Sequence, residues 1–179
     1  LLSQGAMIDS FGVGERLMTA ESDPVFGAVY KLVEVNRNGK SIPKIKVSET
    51  VEKITNPGRK KLYRIYDGDG KAIADLIAKD DEEVDLKEPF RYVDPKKPWK
   101  NRYFEGTTKK ELLVDVIKDG RRVYEKEDLN DIKKYVADQL RDEIWDEEQR
   151  FENPHIHYLD MTPDYYELKM GLLDETRRS

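Results

Sequence analysis

Apolar and polar positions change period several times along this chain, and each change predicts an element. Ala6 to Phe11 is short, apolar-rich and ends at glycine, the pattern of a buried barrel or parallel-sheet strand. Glu15 to Thr19 can start a helix, which Ser22-Asp23-Pro24 stops. Val25 to Val35, "VFGAVYKLVEV", is rich in β-branched and aromatic residues and reads as a strand. Asn38-Gly39 signals a hairpin, and the alternation over Ile42 to Val47 supplies the return strand. Asn56-Pro57-Gly58 turns into a strand over Lys61 to Tyr66, and Asp67-Gly68-Asp69-Gly70 turns into another over Ala72 to Ile77. The middle of the chain is therefore expected to be an antiparallel meander.

Beyond it the pattern breaks. Lys79 to Glu88 is dominated by acids, and Pro89, Pro95 and Pro98 follow closely, as in a linker or an extended crossing loop. Glu111 to Ile117 reads as a strand that Asp119-Gly120 turns into Arg122 to Tyr124. Asp128 can cap a long helix with an apolar stripe of Leu129, Ile132, Tyr135, Val136, Leu140, Ile144 and Trp145, ended by Asn153-Pro154. Thr162-Pro163, an N-cap followed by proline at the first helical position, opens a last helix through Leu168 and Leu172. Four regions result: 1–24 as the end of an α/β barrel, 25–79 as an antiparallel β region, 80–110 as a linker or crossing loop, and 111–179 as an α+β region.

Composition narrows the class. At 179 residues, 37% hydrophobic and 39% charged, the chain can form a thin core beneath a large solvated surface. It has no cysteine, which excludes disulfides and thiolate metal sites and fits a reducing cytoplasm. No apolar run approaches the roughly 18–20 residues of a membrane span, and a soluble, cytoplasmic protein is expected. The opening Leu1-Leu2-Ser3-Gln4-Gly5 reads as a helix end with a glycine stop, so the chain is expected to be a piece of a longer protein. Between Lys31 and Arg64, ten basic residues stand against three acidic ones, a local +7 in a chain of net −5 that leaves −12 elsewhere. Such a field favours an anionic partner, although lysines on a sheet edge also serve simply to discourage edge pairing.

Chemistry concentrates in one turn. An apolar strand followed by Gly12-Val13-Gly14 and a helix start lets backbone amides approach an anion, because no side chain blocks them and the helix end adds partial positive charge. In a (β/α)8 barrel, phosphate commonly sits in the loops after the last strands. Around "ITNPGRKKLYR", Lys44, Lys46, Lys53, Arg59, Lys60, Lys61 and Arg64 could meet phosphate oxygens. His155 and His157 in "NPHIHY" could chelate a metal, but no third ligand is spaced to join them, and packing at a helix-to-strand corner is the simpler reading. No serine or cysteine triad and no distinct carboxylate pair stands out.

The stretches "IDSFGVGERL", "DPVFGAVYKLVEV" and "IPKIKVSETVEKITNPGRKKLYR", in this order and spacing, resemble the C-terminal part of the nicotinate phosphoribosyltransferase family. The tail, "ELLVDVIKDGRRVYE" through "NPHIHYLD", is similar to the same region, so the resemblance covers essentially the whole chain. It implies an α/β fold with α+β parts: the last βα unit of a type II phosphoribosyltransferase barrel, an antiparallel β meander, then a C-terminal strand-hairpin and helices. It also implies formation of nicotinate mononucleotide and pyrophosphate from nicotinate and phosphoribosyl pyrophosphate, coupled to ATP hydrolysis and requiring Mg²⁺.

By that resemblance Gly12, Val13, Gly14 and Glu15 match the loop for the 5′-phosphate, and Lys53 and Lys60 fall in the segment expected near pyrophosphate or ATP. Some family members carry a threonine where Glu15 stands, so Glu15 should offer only its amide and turn its carboxylate away, toward Arg16. The family's phosphorylated histidine and nicotinate pocket would lie upstream, and neither His155 nor His157 matches that histidine. The implied partners are nicotinate, phosphoribosyl pyrophosphate, ATP and the rest of the same enzyme chain, in a homo-oligomer without nucleic acid or membrane. The piece alone is expected to be inactive. Two alternatives stay open: a free-standing anion- or nucleic-acid-binding module, in which tyrosines such as Tyr30, Tyr63 and Tyr66 would interleave with the cations, and a nicotinamide- or quinolinate-using relative.

Overall fold

The computed structural model describes residues 2–21, 24–25, 29–87, 89–94, 97–99 and 101–178. Two compact units divide them, Leu1–Lys31 and Leu32–Ser179. In the first, a 3-10 turn (Leu2–Gln4) and the four-residue helix α1 (Glu15–Met18) are the regular elements. The expected strand over Ala6 to Phe11 does not form. An isolated extended segment leaves its amides and carbonyls unpaired, and Met7 stands 98% exposed in place of a core contact. The expected stop at Ser22-Asp23 and the Phe26 to Ala28 part of the next expected strand lie outside the described residues.

The second unit holds the core. Strands β1 (Glu34–Arg37) and β2 (Lys40–Pro43) form a two-stranded hairpin around Asn38-Gly39, with Gly39 at φ +75°. Both residues of that turn take positive φ, which Asn and Gly tolerate best. This hairpin is a sheet of its own rather than the start of a meander. Strands β3 (Lys60–Tyr66) and β4 (Ala72–Lys79) pair antiparallel, as the turn signal at Asp67-Gly68-Asp69-Gly70 predicts. They sit inside a six-stranded sheet with β5 (Phe90–Val93), β6 (Asn101–Phe104), β7 (Thr108–Glu111) and β10 (Leu159–Met161), in the order β6-β5-β10-β4-β3-β7. A short hairpin, β8 (Ile117–Lys118) with β9 (Arg121–Arg122), turns at Asp119-Gly120.

The segment 80–110 is thus corrected from linker to three strands, two of which pair with each other over Phe90↔Phe104 to Val93↔Asn101. Prolines there punctuate strands instead of abolishing them: Pro89 stands immediately before β5, where no ladder hydrogen bond is lost. The sheet is also mixed. β10 runs parallel to β4 (Leu159↔Asp75 to Met161↔Ile77), a pairing across about eighty residues that local alternation cannot reveal.

The sheet has two faces with different coverings. Tyr63, Ile65, Ala74, Leu76, Ala78, Val84, Tyr92 and Phe104 pack on one face. Ile77, Met161 and Tyr165, with Leu62 and Leu168, pack on the other, under helix α3 (Pro163–Arg178). Thr162 begins α3 as expected: its hydroxyl oxygen accepts from Tyr165 N at 3.2 Å and the hydroxyl donates to Glu82 at 2.8 Å. Helix α2 (Leu129–Asp138) has the predicted cap, with Asp128 accepting from Asn130 N at 2.8 Å, and continues as a π-helical turn (Gln139–Glu143) that ends ten residues before Asn153. Its stripe of Leu129, Ile132, Tyr135, Val136 and Leu140 is exposed.

Candidate functional site

The glycine turn belongs to the first unit. Gly14 is the N-cap of α1, at φ −83° and ψ 172°, and its carbonyl accepts from Leu17 N at 3.2 Å. A helix start leaves its first N–H groups without intrahelical partners, so the amides of this turn are available to an acceptor. A Cβ added at Gly12 or Gly14 would meet nothing within 4 Å, so packing inside the chain does not demand glycine at either place. Val13 and Glu15 are exposed. Arg16 turns to Glu21, at 2.9 Å, and not to Glu15. The turn is open and unobstructed, and the strand expected to lead into it is absent.

The two lysines belong to the second unit and flank one buried corner. Lys53 ends a 3-10 turn (Val51–Lys53) and is exposed. Lys60 opens β3 and is half-buried; burial lowers its pKa, and nearby Glu34 pulls the other way. Between them Thr55, Pro57 and Gly58 are buried. Tyr165 donates its hydroxyl to Pro57 O at 2.8 Å, Lys169 donates to Asn56 Oδ1 at 2.8 Å, and Gly58 N donates to Val33 O at 2.8 Å. Gly58 sits at φ +74°, with Pro43 Cβ 3.6 Å from where its own Cβ would be, so only glycine turns here without strain. Arg59 leaves the corner with its amide donating to Glu34 at 3.0 Å and its guanidinium 3.5 Å from Asp80. A cleft of about 290 Å³ lies beside it, lined by Glu34, Ser41, Gly58, Arg59, Lys79 and Asp80 among others. The corner holds the basic segment rigidly while leaving Lys53 and Arg59 exposed.

Other cations of the segment are taken. Arg64 clasps Asp75 across the sheet through two hydrogen bonds of 2.9 and 3.1 Å, and Lys61 donates to Glu82 O at 3.4 Å. Tyr63 and Tyr66 are buried and offer no ring face to a nucleic-acid base, although Tyr30 is fully exposed. The two histidines separate. The His155 ring meets Tyr158 edge-on at 5.5 Å, whereas His157 lies between Asp75 and Glu148. Sequence pattern placed them at a corner and missed the carboxylates of His157, because Asp75 is brought in by β4 through the parallel pairing. Among the described residues no group of three or more His, Asp or Glu side chains is placed to hold a metal ion.

Comparison with known proteins gives a consistent result. A family described as Nicotinate phosphoribosyltransferase C-terminal domain matches residues 59–169. A nicotinate phosphoribosyltransferase of Bacillus subtilis is 35% identical over 178 residues, covering 99% of this chain and 36% of that protein. One from Caenorhabditis elegans is 34% identical over 163 residues, covering 89% of this chain and 28% of its own length. The chain therefore spans about a third of the relatives it matches. A crystal structure of human nicotinic acid phosphoribosyltransferase superposes with a TM-score of 0.61 at 18% identity, over 66% of this chain and 24% of that one, which supports the mixed α/β fold. Matched by the domain family from Arg59, just after the buried corner, through the six-stranded sheet to Lys169 in the first half of α3, the chain belongs to the nicotinate phosphoribosyltransferase family, in its C-terminal region.

Proposed function

We propose that this chain is the C-terminal portion of an enzyme that joins nicotinate to phosphoribosyl pyrophosphate. The nicotinate ring nitrogen forms a bond to ribose C1 as the bond to pyrophosphate breaks, giving nicotinate mononucleotide and pyrophosphate. The observation that carries this reading is the match to one named enzyme along 99% of the chain. In it the amides of Gly12, Val13, Gly14 and Glu15 receive the 5′-phosphate, and the carboxylate of Glu15 stays in solvent, where it adds little repulsion. Lys53 and Lys60 face the phosphates of pyrophosphate or ATP: Lys53 as a free cation, Lys60 as one that partial burial makes readier to take an anionic partner.

ATP would supply the hydrolytic drive of the full-length enzyme. Mg²⁺ belongs to the full-length parent; among the described residues no group of three or more His, Asp or Glu side chains is placed to hold it. The base-recognising and reacting groups are assigned to the rest of the parent, which works in the cytoplasm as a homo-oligomer, and the piece alone is inactive. The test is a product assay on the full-length parent offered nicotinate, nicotinamide and quinolinate in turn with phosphoribosyl pyrophosphate. Nicotinate mononucleotide should be the main product. Preference for either other base would assign the chain to a related phosphoribosyltransferase, and no mononucleotide at all would leave the binding-module reading.

A further inference from the structure

Four charged side chains form a continuous, mostly buried row across the interior strands of the sheet. Arg64 on β3 donates twice to Asp75 on β4, which fixes that carboxylate. His157, two residues before β10, places Nε2 3.4 Å from Asp75 Oδ1 and Nδ1 3.1 Å from Glu148 Oε1. The side chains of Arg64, Asp75, His157 and Glu148 keep only 18, 15, 24 and 12% of their surface in water. These are the charged groups that face the ring: Asp75 from the sheet with Arg64 behind it, and Glu148 from the segment after the π turn.

An imidazole with a carboxylate at each nitrogen is satisfied in one protonation state. The imidazolium can donate from both nitrogens, whereas neutral imidazole must turn a lone pair toward one carboxylate. Nε2 is buried, and at 3.4 Å it has ion-pair distance to Asp75 without forming a hydrogen bond, so the attraction there is that of charge. We propose that His157 is a proton-operated clasp: its imidazolium fastens the segment 144–156 to the sheet through Glu148 and Asp75, and loss of one proton frees that segment.

The rest of the geometry shows what the clasp controls. Within the segment, Gln149 donates to Ile144 O, Arg150 pairs with Glu147 at 3.3 Å and His155 N donates to Glu147 O at 2.9 Å, while Gln149 also reaches Leu140 O and the His155 ring meets Tyr158. Lys71, at the β3–β4 turn, reaches the carbonyls of Arg141 and Ile144 only at its start. Two clefts, of about 320 and 670 Å³, share Glu147, His155 and Tyr158 as lining, so release of the segment reshapes both. Asp75 raises the His157 pKa above its usual value, burial opposes it, and Glu148 adds to the rise. For a histidine whose folded pKa is raised, the stabilisation is complete below the unfolded value of about 6.5 and disappears as pH climbs through the folded value. Burial acts to raise the pKa of Asp75, yet His157 and Arg64 outweigh it, so that carboxylate stays charged across this range.

The experiment uses the 179-residue chain, which has only two histidines, so that imidazole resonances are assigned with one His155→Gln variant. His157 should titrate above about 6.5. Hydrogen exchange, corrected for its intrinsic pH dependence, should show segment 144–156 losing protection by about tenfold or more between about pH 6 and pH 8.5. Both core strands β3 and β4 should keep theirs. His157→Gln, which keeps an amide donor but cannot be charged, should abolish that pH dependence. Glu148→Gln, which keeps shape and removes one carboxylate, should lower the His157 midpoint even if the first variant folds poorly. A His157 midpoint at or below the ordinary value, no shift in Glu148→Gln, or equal pH dependence with and without His157 would overturn the clasp.

Discussion

Tyr165 shows how much one side chain can fix. It is fully buried, yet its hydroxyl donates to Pro57 O, and burial pushes its pKa well above the usual phenol value. Tyr165→Phe leaves that carbonyl unpaired in a dry site and should cost about 1–3 kcal/mol, read from the urea midpoint. Gly58→Ala should cost about 1 kcal/mol or more, because its φ of +74° strains any side chain; an unchanged midpoint would show that the corner relaxes. Lys53 and Lys60 test the phosphate reading in the parent: alanine at either should weaken nucleotide or pyrophosphate binding by about 1–3 kcal/mol. Lys53→Ala should leave the folding midpoint in place, since an exposed lysine contributes little. Lys60→Ala should lower it slightly, because the half-buried stem packs at the start of β3. Intact affinity with lost stability would make these lysines structural. The basic cluster was legible from charge alone, but which cations are free was not: Arg64 and Asp75 are cross-strand neighbours only once β3 and β4 pair.

At the scale of elements, short-range signals read well and long-range ones did not. Asn38-Gly39, Thr162-Pro163 and the Asp128 cap act within a few residues, and each appears where its chemistry puts it. Ala6 to Phe11 has the composition of a strand, but a strand needs a neighbour to satisfy its backbone, and among the described residues none pairs with it. The strands of 80–110 were hidden by prolines and acids, whose exclusion from strands depends on edge or end position. Thr162→Ala removes both the α3 cap and one of the donors to Glu82, and should lower stability by about 1–2 kcal/mol. Thr162→Ser should restore most of it; failure of serine to rescue would mean that the methyl packing, and not the cap, matters.

At the scale of the whole molecule, the exposed apolar surface is the main unspent feature. Leu129, Ile132, Tyr135 and Val136 of α2 and Leu140 of the π turn form one stripe in water, and Leu113, Val114, Val116 and Ile117, before and within β8, are exposed as well. Surfaces of this kind promote association, so the isolated chain should sediment as oligomers in a concentration-dependent way. Ile132→Lys with Leu140→Lys should reduce that association without lowering the folding midpoint, whereas a stable monomer that unfolds cooperatively would show the stripe to be inert. The family was legible in three ordered stretches of sequence; the mixed sheet of the second unit was not, because β10 joins it across about eighty residues. The most direct test of the assignment is steady-state formation of nicotinate mononucleotide by the full-length parent, with phosphoribosyl pyrophosphate varied, compared between the natural sequence and Gly14→Val. The account predicts product from nicotinate, and a Michaelis constant for phosphoribosyl pyrophosphate raised by about tenfold or more, equivalent to about 1.4 kcal/mol of lost amide–phosphate contact. Unchanged kinetics in Gly14→Val would exclude the turn as the phosphate cradle, and a parent that makes no nicotinate mononucleotide would contradict the account itself.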